Sequence, residues 1–386
     1  MYDGEERDDL LPLTYTRPVA DLRIGILTIR EKWEKHLGYT TSTLTEDYLS
    51  KKYPLVEDEL NLMINSSICP TEELVEICKN LEKEQAVFQG DLLIAFVTVK
   101  DEEPTLETYK RIEYSGKFTH VQYPWDIFQN NDTEIRSDFN LITEGRESEK
   151  ISDTNKYVCP ENIFIEEGAE VEFSVLNAKE GPIYIGKDSL VMEGVLVRGP
   201  LALCENAVLK MGAKIYGATT VGPSSTVGGE VKNAVLQSYS NKGHEGYLGN
   251  SVLGEWCNLG ADTNNSNLKN NYAEVKMWNY PSERFIKSGL QFCGLIMGDH
   301  SKSSINTMFN TGTVIGVSAN IFGTGFPRNF VPSFSWGGAS KSITYKTDKA
   351  IETARLMMER KNLPFEEYDA EIFEHIFEES SKYRRD

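Results

Sequence analysis

From Ile185 onward an aliphatic residue returns at every sixth position, through Val191, Val197, Leu203, Leu209, Ile215, Val221 and Val227. The phase resumes at Tyr247, Leu253 and Leu259, and again at Met297, Ser303, Phe309, Ile315 and Ile321. A helix repeats at 3.6 residues and a strand at 2, so neither produces a strict period of six. Hexapeptide repeats do so by wrapping the chain into a parallel β-helix, each repeat forming one face of a coil. The aliphatic position then points inward. The residue four further on fills a second, tighter inward slot: Ser189, Ala207, Ala213, Thr219 and Ser225, then Ser301, Thr307, Thr313 and Ala319. Glycines directly after the aliphatic, at Gly186, Gly222, Gly228, Gly254, Gly260, Gly298 and Gly316, suit tight corners between faces. With Ile165 and Val171 as an early pair, the coil is expected from about Cys159 to Phe326.

The flanking segments lack the period. Residues 1–150 read as a mixed α/β domain, with a helix over Val19–Leu37 stopped by Gly38 and a second from Pro70-Thr71 to about Lys83. Ala86 to Val99 reads as strand, Gly90-Asp91 turn, strand. The polar stretch Thr143–Lys156 is the expected hinge to a β-helix domain at 151–345. Two helices in 346–386, Thr347–Lys361 and Phe365–Lys382, are separated by Pro364 and would cover exposed coil edges, with Thr347 as N-cap.

A formal charge of -19 on 386 residues disfavours nucleic acid and anionic membrane as partners. No apolar run reaches the ~20 residues of a membrane span. The opening MYDGEERDDLL carries acid where a secretory leader carries base, which points to the cytoplasm. Six dispersed cysteines without a C-x-x-C pair read as isolated thiols, not a disulfide framework or zinc site.

Regular coils have little freedom to place reactive groups, so the breaks at 229–246 and 263–295 are where function is expected. The first contains Lys242-Gly243-His244-Glu245-Gly246-Tyr247-Leu248-Gly249, followed by Asn258, Gly260, Ala261, Thr263 and Asn267. The second contains Val275-Lys276-Met277-Trp278 and reads as an excursion that returns to the coil. The first pattern resembles the bifunctional N-acetylglucosamine-1-phosphate uridylyltransferase/glucosamine-1-phosphate acetyltransferase family, with its K-x-G-H-x-x-Y-L-G, N-I-G-A-G-T and C-N-Y stretches. Lys242 here adjoins Gly243, and Leu268 stands where the family has tyrosine. The resemblance implies an N-terminal nucleotidyltransferase-like, Rossmann-like α/β domain joined to a left-handed parallel β-helix. It implies His244 as general base on an amine attacking acetyl-CoA or another acyl-CoA. Lys242, Tyr247, Asn258 and Asn267 would contact the sugar phosphate, and the molecule would be a homotrimer.

Leu11-Pro12-Leu13-Thr14-Tyr15-Thr16-Arg17-Pro18 resembles the second half of the nucleotidyltransferase signature. The Gly-rich first half is absent, and Val19 stands at the signature's lysine. A nearer likeness, over Leu11–Trp33 and Gly298–Gly316, is to shorter uncharacterised sugar-nucleotidyltransferase-like proteins. Thr14, Arg17 and Arg23 are phosphate-binding candidates, set against ion pairs of the arginines with Asp21 or Glu31. Asp91 is a candidate for Mg²⁺ if transfer from a nucleoside triphosphate is retained; hairpin-turn usage is the alternative. His300, outward by phase and oriented by Asp299, is a second candidate base, set against a solvated turn. Asn306, Asn310 and Asn320 read as coil corners. Two functions stay open: an acyltransferase or nucleotidyltransferase on sugar phosphates, and a catalytically decayed trimer that binds a sugar phosphate or nucleotide-sugar or is structural.

Overall fold

The computed structural model describes residues 1–384 apart from Asp101 and Glu103. A parallel β-helix of about ten turns occupies residues 156–337. In its regular part Leu190 pairs with Val208 and Val208 with Thr226, a step of 18 residues, or three hexapeptides per coil. Val191, Leu209 and Val227 therefore stack in one column, and Ile185, Leu203 and Val221 in another. Both columns are buried, as are the small slots from Ser189 to Ala319. Two hydroxyls in the small slots bond corner backbone: Ser189 Oγ donates to Gly186 O at 2.6 Å and Ser301 Oγ to Gly316 O at 2.6 Å.

The break at 229–246 is not an excursion. The strand Glu230–Leu236 pairs with Lys214–Tyr216 on one side and with Tyr247–Leu253 on the other. The coil merely shortens: Val227 pairs with Lys242, 15 positions on instead of 18. A corner with fewer residues shifts the phase without taking the chain off the stack. The second break is a true excursion. Leu259 pairs with Ser303, 44 positions on, and the intervening chain includes an antiparallel hairpin of Lys276–Asn279 and Arg284–Lys287.

Residues before the coil form a four-stranded mixed sheet in the order β1 (Leu60–Ile64), β3 (Leu92–Val99), β2 (Gln85–Gln89), β4 (Lys110–Glu113), with only β2 and β4 parallel. The expected 19–37 helix is split into a 3-10 turn, Val19–Asp21, and α1, Ile29–Leu37. Between them Gly25 takes φ +80, and a Cβ there would meet the Glu134 backbone at 2.8 Å. Close packing on the helix Pro124–Thr143 holds this turn, and the Thr28/Glu31 capping box restarts the helix. The second expected helix is α2, Glu72–Lys79, and ends earlier than Lys83.

A long helix, α3 (Pro124–Thr143), lies along the coil and escaped the sequence reading. Its inward stripe is interrupted by Asn131, Glu134 and Asp138, which erases the apolar periodicity. These residues do structural work. Lys32 is buried against Asp138 and against Glu134 at 2.9 Å, and Asp138 accepts from the Ile26 and Leu27 amides at 2.8 and 3.0 Å. Burial pushes the Asp138 carboxyl up to about 6.

The C-terminal helices are α4 (Thr347–Glu359) and α5 (Glu367–Glu379). Lys346, not Thr347, is the N-cap residue, and no side chain caps this end. Phe373, Ile372 and Ile376 are buried, while Lys51–Glu371 and Lys52–Asp369 pairs tie α5 to the N-terminal region.

Candidate functional site

Two groups of candidate residues emerge, at a coil corner and at the junction of all three regions. At the corner, the shortened coil puts Lys242 into the inward slot occupied by Val227 below and Leu259 above. Its side chain is buried, and Nζ donates to the His244 carbonyl. Among the described residues no carboxylate forms a salt bridge with it, and burial lowers its amine to about 8. The resemblance implied a sugar-phosphate contact at Lys242; its amine lies inside the stack, on the His244 carbonyl. His244 is exposed at the corner that it pins. On the adjoining face, Asn267 Nδ2 donates to the Tyr247 hydroxyl at 3.0 Å and to Asn250 Oδ1 at 2.8 Å. The Tyr247 amide donates to Asn264 Oδ1 at 2.8 Å. Asn258 lies on the preceding face, between Asn241 and Lys302. Tyr247 and Asn267 are thus brought together, as are Lys242 and His244, with Asn258 on the strand beside Asn241 and Lys242.

At the junction, the N-terminal Thr16 and Arg17 meet Asp299 of the coil. Asp299 accepts from Thr16 Oγ1 at 2.8 Å, from Arg17 Nη2, and from the Glu255 amide at 2.9 Å. Arg17 Nη1 pairs with Glu255 at 2.9 Å. The ion pair expected for Arg17 was with Asp21 or Glu31; Asp21 instead pairs with Arg30 at 2.6 Å. His300 is neither solvated nor oriented by Asp299. It is 7 % exposed, at φ +58, with its ring 6.0 Å from Trp256 and 5.1 Å from Phe373 of α5. The hexapeptide phase could not foresee that a distant helix covers this corner. Burial, with Lys302, Lys52 and Arg17 nearby, holds the imidazole neutral, well below its usual range.

The remaining candidates are dispersed. Thr14 is buried and donates to the Arg7 carbonyl at 2.7 Å. Arg23 bonds the Ile26 carbonyl and pairs with Glu31 at 3.4 Å, the structural alternative. Asp91 is exposed in the β2–β3 turn, and among the described residues no three His, Cys, Asp or Glu side chains gather to hold a metal. Glu255 carried no signal in the sequence, because its partners Asp299 and Arg17 lie more than 40 positions away.

Residues 1–147 match the family model described as sugar nucleotidyl transferase. Over 215 residues the chain is 30% identical to the bifunctional sugar-1-phosphate nucleotidylyltransferase/acetyltransferase of Sulfurisphaera tokodaii, covering 55% of this chain and 47% of that protein. Over 259 residues it is 30% identical to the bifunctional protein GlmU of Methanocaldococcus jannaschii, covering 67% and 52%. The GlmU of Methanococcus aeolicus is 29% identical over 240 residues, covering 62% and 52%. The chain spans about half the length of the curated relatives it matches. It joins a sugar nucleotidyltransferase-family segment to a parallel β-helix and is distantly homologous to these bifunctional enzymes. Among the described residues no helix is long and apolar enough to cross a membrane.

Proposed function

We propose that this protein transfers an acyl group from an acyl-CoA to an amino-sugar phosphate at the His244 corner, working as a homotrimer. The single observation that carries the reading is an exposed imidazole on a corner whose carbonyl is held from inside by Lys242. An attacking amine must lose a proton, and a neutral imidazole near pH 7 is a suitable acceptor. Tyr247 and Asn267, locked to each other and to Asn250, offer a rigid polar platform for the sugar.

Nucleotidyl transfer is assigned no active site here. Thr14 donates to the Arg7 carbonyl, Arg17 binds Asp299 and Glu255 through its two terminal nitrogens, and Arg23 binds the Ile26 carbonyl and Glu31 through Nη1. A triphosphate would meet no Gly-rich loop of backbone donors to stabilise charge during transfer. Pyrophosphate release from nucleoside triphosphate, Mg²⁺ and sugar-1-phosphate is therefore expected to be negligible.

Acetyl-CoA turnover with a panel of amino-sugar phosphates tests the reading. His244→Ala should lose at least ~100-fold in kcat while remaining folded, since general-base help is worth about 10² to 10⁴. His300→Ala should keep far more activity. Unchanged turnover in His244→Ala removes the base from that corner. A wild-type protein inert across the panel leaves the binding or structural reading.

A further inference from the structure

The junction encloses a cavity walled by Thr16, Arg17, Lys52, Tyr53, Trp256 and His300, with α5 across it. It is separate from the His244 corner and uses none of that corner's residues. About 40 Å³ is open inside, room for a few waters or one tetrahedral anion and too little for a nucleotide. Two wall residues leave a buried nitrogen without a partner: Arg17 Nε and His300 Nδ1. Arg17 is 4 % and His300 7 % exposed, so bulk water does not satisfy them. Such orphaned groups are costly and call for a ligand or ordered water.

The acids around the cavity are already committed. Asp299 accepts at both oxygens, from Glu255 N at Oδ1 and from Thr16 and Arg17 at Oδ2. Asp369 accepts from Lys52 at 2.9 Å and from the Glu366 amide at 3.0 Å. Glu255 spends one oxygen on Arg17. Arg17 Nε is an unmet donor, and His300 Nδ1 is a second in the tautomer that carries its proton there.

We propose that this junction binds a small oxyanion, a phosphate group either free or carried by a sugar phosphate. Arg17 and His300 would donate from the coil side and Lys52 from the mouth, where it is a third exposed. Arg17 and Lys52, which line the cavity with His300, add positive charge beside the imidazole, in keeping with an anion as occupant. The ligand would bridge the N-terminal segment, the coil and α5, so its binding would tighten their assembly.

The intact chain, labelled with ¹⁵N-histidine, can be titrated with inorganic phosphate and, in a second arm, with glucose 1-phosphate. Sodium chloride at equal ionic strength is the control. Loss of one resonance in His300→Gln assigns His300 among the five histidines. The expected result is a saturable shift of that resonance and a rise in Tm, both weakened roughly tenfold in affinity by Lys52→Met, as for loss of one charge-assisted hydrogen bond. A response to both arms identifies the free anion as sufficient; a response to glucose 1-phosphate alone identifies the sugar-borne phosphate. No saturable shift in either arm, a shift reproduced by chloride, or one unaltered by Lys52→Met would overturn the proposal and leave ordered water as the occupant.

Discussion

Lys242 illustrates how much one side chain can alter a repeat. An ammonium in a slot built for valine or leucine is disfavoured by desolvation, and among the described residues one carbonyl is its hydrogen-bond partner. Its amine falls from 10.5 to about 8, so between those values the unfolded chain binds more protons than the folded one. Stability should therefore rise as pH increases through that window, and the lysine is a burden below it. Lys242→Met is expected to raise stability at pH 7 by about 1–3 kcal/mol, with the gain shrinking as pH approaches the unfolded value. Denaturant midpoints at pH 7 and near pH 10 measure this. An unchanged difference at the two pH values would mean that the amine keeps its ordinary acidity. If Lys242 also steadies the His244 corner, the same variant should lose activity while gaining stability, a separation that a purely structural lysine would not give.

At the scale of the element, the coil owes its order to columns that repeat every 18 residues. Leu209 is wholly buried between Val191 and Val227. Leu209→Asp places an unpaired charge in that stack at a cost of several kcal/mol, comparable with the whole stability of a domain. The variant should fail to unfold cooperatively at near wild-type temperature, as followed by circular dichroism. The entry to α1 offers a milder test. Thr28 Oγ1 accepts from the Glu31 amide at 3.1 Å, and Glu31 returns a bond to the Thr28 amide at 2.6 Å. Thr28→Ala should cost about 1 kcal/mol, typical for loss of an N-cap hydroxyl. A larger loss would show that the Gly25 turn depends on this cap as well.

For the molecule as a whole, long-range polar bonds fasten the N-terminal segment to the coil. Gln237 exchanges bonds with the Arg23 backbone at 2.6 and 3.0 Å, and Thr220 donates to the Gly25 carbonyl at 2.8 Å. The C-terminal helices complete this joint: Phe373 covers His300, and Phe377 packs 5.2 Å from Phe334. A chain ending at Lys346 would uncover these rings and break the Lys51 and Lys52 pairs with α5. It should lose cooperative unfolding of the N-terminal region or aggregate through the exposed apolar surface. Unaltered unfolding of the truncated chain would show that the joint holds without the helices. Assembly is tested at the same scale. The proposed trimer predicts a species near three times 43.6 kDa by light scattering at micromolar concentration, and a lone 43.6 kDa species removes it.

The sequence by itself determined the β-helix, because a strict six-residue phase restricts each inward slot by size and leaves few alternatives. It also marked the β2–β3 hairpin and the excursion at 263–295, where local turn chemistry and loss of phase are visible within a short window. Tertiary structure alone decided the rest. Whether Lys242 points into the stack depended on a corner shortened by a few residues, and whether His300 meets solvent depended on a helix some 70 positions away. α3 stayed hidden because its buried face carries Asn131, Glu134 and Asp138, which read as surface until Lys32 and the Gly25 turn supply their partners. Periodicity reports which side of an element is covered by its own repeat. It carries no information on what a distant segment will cover, and that is the distinction on which the candidate residues divided.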